Sequence, residues 1–70
     1  MKNLKQLRLE NNLTQLALQM KTGIDQALLF KCETGERIPT VENLLTLADY
    51  FHTNMDFLMD RTAQRKPYPK

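Results

Sequence analysis

Apolar positions along the chain fall into short runs at helical spacing, separated by polar stretches that carry capping residues. Leu4 and Leu7 lie three apart, with Arg8 beside them and Leu9 on the other side. This predicts a first helix from about Lys2 or Asn3 to Glu10. Asn11-Asn12 stops it, and Leu13 returns to the core. Thr14 is an N-cap type residue ahead of the apolar-rich run Gln15–Lys21, and Asp25 is another ahead of Gln26–Glu33. Leu18 faces inward from the second helix, Leu29 and Cys32 from the third, and Ile24 packs from the turn between them. Thr34-Gly35 ends the third helix, glycine being suited to the left-handed position there. After the loop Glu36-Arg37-Ile38-Pro39, Thr40 caps a fourth helix, Val41–Phe51, the most regular segment. Its Val41, Leu44, Leu45, Leu47, Ala48 and Phe51 are expected to form one wide inward stripe. His52-Thr53 makes a short connection, and Asn54 caps a fifth helix over about 55–59, with Met55 and Leu58 inward. Tyr50, Phe57 and Met59 fall off these stripes and are expected to serve as a dimerisation surface.

The fold class expected is therefore all-α: five short helices around one core, with no strand-like alternation, repeats or Gly-rich phosphate loop. Residues 1–60 form the domain; 61–70, closing with Lys66-Pro67-Tyr68-Pro69-Lys70, are expected to be a disordered basic tail. The second and third helices are too short to stand alone, because isolated helices need roughly 12–15 residues. Their sharp Thr22-Gly23-Ile24 connection must be held by packing from the rest of the chain. Two such helices in tandem form a helix-turn-helix, a motif that commonly lays its second helix in the DNA major groove.

Composition narrows the class. Seventy residues set a limit of one domain with a small core. The single cysteine, Cys32, cannot form an internal disulfide and is read as plain core. No apolar run approaches the ~20 residues of a membrane span, and no signal-peptide core follows Met1. The expectation is a soluble, cytoplasmic protein, with Met1 and the length pointing to a whole product. The net charge of +2 hides an asymmetry: residues 1–60 hold six Lys and Arg against eight Asp and Glu, whereas 61–70 hold four basic residues and no acid. A nucleic-acid binder usually shows a basic face, so charge alone argues against one in the domain. His52, the only histidine, has no second ligand at metal spacing. With no nucleophile–base pair or carboxylate dyad either, an enzyme, a metal site and a cofactor are not expected, and no small-molecule ligand is indicated.

Taken in order, LKQLR at 4–8, LTQ at 13–15, TGI at 22–24, ETGERIP at 33–39, VENLLTLADYF at 41–51 and the following MDFL carry a resemblance. Over residues 2–62 the chain resembles the lambda-repressor-like, Cro/cI-type helix-turn-helix regulators, also called the xenobiotic-response-element family. The resemblance implies binding to double-stranded DNA at a palindromic operator, as a homodimer, by a repressor of bacterial or phage context at the nucleoid. It implies base contacts from Gln26, Ala27, Phe30 and Lys31, and phosphate contacts from Gln15, Arg37 and Thr40. It also implies a structural ion pair between Arg8 and Glu33.

Gln26 is suited to adenine, since its amide can donate to N7 and accept from the N6 amino group. Lys31 can reach guanine or a phosphate, and Ala27 is small enough to meet a thymine methyl. Some positions depart from the family pattern. Gln19 stands where a small alanine is usual; an amide buried there without a partner would cost about 1–3 kcal/mol, so local packing must differ. Leu9, Leu16, Leu28 and Phe30 stand at positions usually polar. Leu28 and Phe30 can turn into the core, meet thymine methyls or face a protein partner. The last possibility defines the alternative reading, a helix-turn-helix used as a protein-interaction module of the anti-repressor or antitoxin kind.

Overall fold

In a computed structural model, which describes residues 1–69, five helices follow one another along the chain. They are α1 (Lys2–Glu10), α2 (Gln15–Thr22), α3 (Gln26–Thr34), α4 (Val41–Phe51) and α5 (Met55–Leu58). No strand occurs among the described residues. Four of the five starts are sealed by the residue just ahead of the helix. Thr14 Oγ1 accepts from the Ala17 amide at 3.0 Å and Asp25 from that of Ala27 at 3.1 Å. Thr40 accepts from Asn43 at 3.1 Å and Asn54 from Phe57 at 2.8 Å. Each such cap satisfies an amide that the helix itself cannot.

The first helix is sealed from far away. Asp60, just beyond α5, accepts the Lys2 and Asn3 amides on its two carboxylate oxygens, each at 2.8 Å. Partial burial pushes its carboxyl up, but the two amide bonds and the nearby amino terminus outweigh this and hold it below the ordinary aspartate value.

The core gathers Leu4 and Leu7 of α1, Leu18 of α2, Leu29 and Cys32 of α3, Leu44, Leu47 and Ala48 of α4, and Phe57 and Leu58 of α5. Ile24 closes it from the turn. Burial pushes the Cys32 thiol above its ordinary value, against the pull of the amino terminus.

Three expectations are corrected here. Val41 and Leu45 do not join the α4 stripe; they are 66% and 49% exposed. At roughly 100° per residue, both lie on the flank of the arc centred on Leu44, Leu47 and Phe51. The apolar sector is thus wider than the surface available to cover it. Phe57 is 4% exposed and belongs to the core, while Tyr50 and Met59 are half-buried against it. A one-turn helix has no opposite face to read from periodicity, and α5 buries two consecutive residues. The expected dimerisation surface of Tyr50, Phe57 and Met59 thus loses Phe57 to the core and keeps Tyr50 and Met59 only partly exposed.

The segment from 61 to 69 is not a free tail; it forms a strap across the domain, and Lys70 lies outside the described residues. The buried Thr53 hydroxyl donates to the Arg65 carbonyl at 2.7 Å. The Asn54 side-chain amide donates to the carbonyls of Gln64 and Lys66 at 2.9 and 2.8 Å. The Arg65 guanidinium lies 5.2 Å from the Phe57 ring centre and donates to both carboxylate oxygens of Glu10 at 2.8 Å. That contact holds the Glu10 carboxyl below its ordinary value. Tyr68 donates its hydroxyl to the Asp56 carboxylate. Prolines exclude helix, but extended chain packs well where buried side chains supply partners for its carbonyls.

Candidate nucleic-acid interface

The corner between α2 and α3 rests on one residue that must be left-handed and one that must be apolar. Gly23 has φ +77° and its amide donates to the Gln19 carbonyl at 2.7 Å. A Cβ there would meet nothing within 4 Å, so the demand for glycine is conformational, not steric. Ile24 follows directly and is 6% exposed, anchoring the turn in the core. Thr22 stitches the corner from both sides, donating its hydroxyl to the Leu18 carbonyl at 2.8 Å and accepting from the Ile24 amide at 3.3 Å.

The third helix is then held by charge. Arg8 Nε and Nη2 donate to the two Glu33 carboxylate oxygens at 2.7 and 2.9 Å, while Nη1 donates to the Leu13 carbonyl at 2.8 Å. The side chains of the pair are 9% and 4% exposed. Hydrogen bonding to Glu33 raises the arginine pKa despite the opposing effect of burial. The far end of α3 is thereby fixed to α1 and to the segment entering α2. Gln15 joins the group, its side-chain amide donating to Glu33 Oε1 at 3.3 Å. One of its two N–H bonds thus faces inward, and the other remains for a further acceptor.

With Leu29 and Cys32 buried and Leu28 half-buried, the orientation of α3 is set. Gln26, Ala27, Phe30 and Lys31 then share one exposed stripe, at the i, i+1, i+4, i+5 spacing of a single helix face. Phe30 is 52% exposed, so the two unusual apolar residues part company: Leu28 packs against the core and Phe30 points out. Arg37 and Thr40 are exposed in the loop and at the start of α4. The Thr40 oxygen accepts from the Asn43 amide, which leaves its hydroxyl proton as a donor.

Gln19 is the residue whose part the sequence did not reveal. It is half-buried but not orphaned: its Oε1 accepts from the Gln26 amide at 2.6 Å. The polar side chain at this close helix–helix contact is satisfied by the open end of the next helix. The only signal for this was spacing, a glutamine seven residues ahead of the first residue of α3.

Among the described residues no group of three or more His, Cys, Asp and Glu side chains converges as a metal site. Nor is any helix long and apolar enough to cross a membrane.

A family model described as helix-turn-helix, the Cro/cI type, matches residues 4–58, well over half of the chain. The chain belongs to the Cro/cI-type helix-turn-helix family. The five-helix lambda-repressor-like architecture agrees with that membership, and the family is one of double-stranded DNA-binding regulators, not of enzymes. No curated protein and no solved structure matches the chain. In this Cro/cI-type protein the helix-turn-helix is α2 and α3, and the exposed stripe of α3 is its second helix's outward face.

Proposed function

We propose that the protein is a sequence-specific repressor that inserts α3 into the major groove as one half of a homodimer. The observation that carries this reading is the exposed stripe of Gln26, Ala27, Phe30 and Lys31 on a helix whose opposite side is locked into the core. In such a complex Gln26 addresses adenine through both atoms of its amide, and Ala27 and Phe30 pack on thymine methyls or sugar. Lys31 meets a guanine edge or a phosphate. Register comes from the backbone: Arg37 and the Thr40 hydroxyl at one phosphate run, Gln15 and the open start of α2 at another. Two copies bound to a palindrome would place their α3 helices about 34 Å apart. The setting is the bacterial or phage cytoplasm, at the nucleoid.

A second reading, a protein-interaction module, draws on the apolar residues left outside: Leu16 and Met20 on α2 and Phe30 on α3 are 51%, 80% and 52% exposed. Selection from a random-oligonucleotide pool with the purified protein decides between the two. Enrichment of an A/T-leaning palindrome establishes the first reading. A pool that stays random leaves the second.

A further inference from the structure

Base readout by Gln26 has a weak point, because Gln26 is the first residue of α3. The opening amides of a helix have no partner within it and depend on a side chain, water or a ligand to satisfy them. Asp25 caps the Ala27 amide, one residue further in, and leaves that of Gln26 to something else. The structure supplies it from α2. Gln19 Oε1 accepts from Gln26 N at 2.6 Å, while the Gln19 backbone carbonyl accepts from Gly23 at 2.7 Å. One residue thus grips both the turn and the start of the next helix.

We infer that Gln19 is the positioning residue for base readout: its side-chain carbonyl fixes the backbone from which Gln26 reaches a base edge. The inference rests on the reading that Gln26 contacts a base. A glutamine satisfies adenine only when its donor and its acceptor are aligned together, which tolerates displacements of no more than about 0.5 Å. The chemistry at position 19 that matters is an acceptor at the tip of a side chain of this length. The rest of α3 does not depend on it, since Asp25, Leu29, Cys32 and the Arg8–Glu33 pair hold the helix elsewhere.

The test uses the full chain and the duplex enriched by selection, together with single-base-pair variants of that duplex. Gln26→Ala first identifies the base pair that Gln26 reads, as the one at which selectivity collapses. Gln19→Met keeps the size of the side chain and removes the acceptor. Gln19→Glu keeps the acceptor and adds a charge that weakens binding to all sequences alike. Selectivity at the Gln26 base pair, taken as a ratio of affinities, is expected to fall about tenfold in Gln19→Met and to return in Gln19→Glu. Thermal melts of both variants check that α3 is still folded. Loss of selectivity in both variants, or in neither, overturns the inference while leaving base contact by Gln26 intact. If Gln26→Ala changes selectivity at no base pair, the underlying reading falls and this inference falls with it.

Discussion

The two ends of this small domain hold their short helices with the same kinds of cap but differ in what they leave uncovered. At the α2–α3 corner the helices are fixed by discrete polar contacts: the Thr14 and Asp25 caps, the Gln19 bond to Gln26 and the Arg8–Glu33 pair. The outward faces stay uncovered. The α4–α5 end has caps of the same kind, at Thr40 and Asn54, but there α5 is also covered, with Arg65 over Phe57 and the strap carbonyls held by Thr53 and Asn54. Polar fastening keeps a helix in place from its ends and frees a face for a ligand. Where the strap lies, α5 has no such face left, although Val41 and Leu45 of α4 stay exposed. The difference accounts for how a chain of 70 residues can display a whole helix stripe and still have a core.

Breaking the polar fastening should have the largest effect on stability. Arg8→Ala leaves the Glu33 carboxylate buried without its partner and is expected to cost about 3 kcal/mol. Denaturant melts of Arg8→Ala, Glu33→Ala and the double variant should show that the double loses far less than the sum of the singles. Strictly additive losses would mean that the pair does not fasten α3. On the covered side, Asn54→Ala removes the α5 cap and both bonds to the strap. A cost of about 2 kcal/mol is expected, with proteolysis between residues 61 and 69 as an independent readout of strap release. If the segment is cut no faster in the variant, Asn54 does not hold it.

The next substitution asks whether the uncovered face is free of structural duty. Phe30→Ala should leave stability within about 0.5 kcal/mol of the parent, yet lower selectivity at one base pair by about 1 kcal/mol. A fall in melting temperature with selectivity intact would place Phe30 in the packing. Loss of a protein partner without a change in DNA affinity would favour the interaction-module reading. The smallest effect separates free from engaged charge. Arg37→Ala should shrink the salt dependence of DNA affinity by about 0.9 in logarithmic slope. Arg65→Ala should leave that slope unchanged, because its guanidinium is already paired with Glu10. Equal slopes for the two variants would erase the distinction.

What could be read from the sequence follows the same division. Caps at Thr14, Asp25, Thr40 and Asn54 and the glycines at 23 and 35 act over a few residues, so helix order and boundaries could be placed to within about a residue. Leu29 and Cys32 three apart indicated the buried side of α3, and with it the exposed positions of Gln26, Ala27 and Lys31. Phe30 and Leu28 were ambiguous because apolar residues on both sides of a helix carry no phase. Periodicity ranked Val41 and Leu45 with their inward neighbours but holds no information about how much surface is available to cover them. The strap, the Asp60 cap on α1 and the Gln19 bond all join residues distant in the chain or on different elements. Composition judged the last ten residues by their own charge and prolines, whereas the order of 61–69 comes from Thr53, Asn54 and Glu10.

The cap on α1 also bears on the order in which the molecule assembles. Asn3 and Asp60 are 57 residues apart, so closing that contact carries one of the largest loop entropies the chain has to offer. The α2–α3 corner closes over fewer than a dozen residues and can form early. The first helix precedes the other four in the chain, yet its opening turn stays unsealed until Asp60, beyond α5, has joined the fold. Amide exchange at Lys2 and Asn3 should accordingly report completion of the entire fold, although both residues sit at its outermost turn.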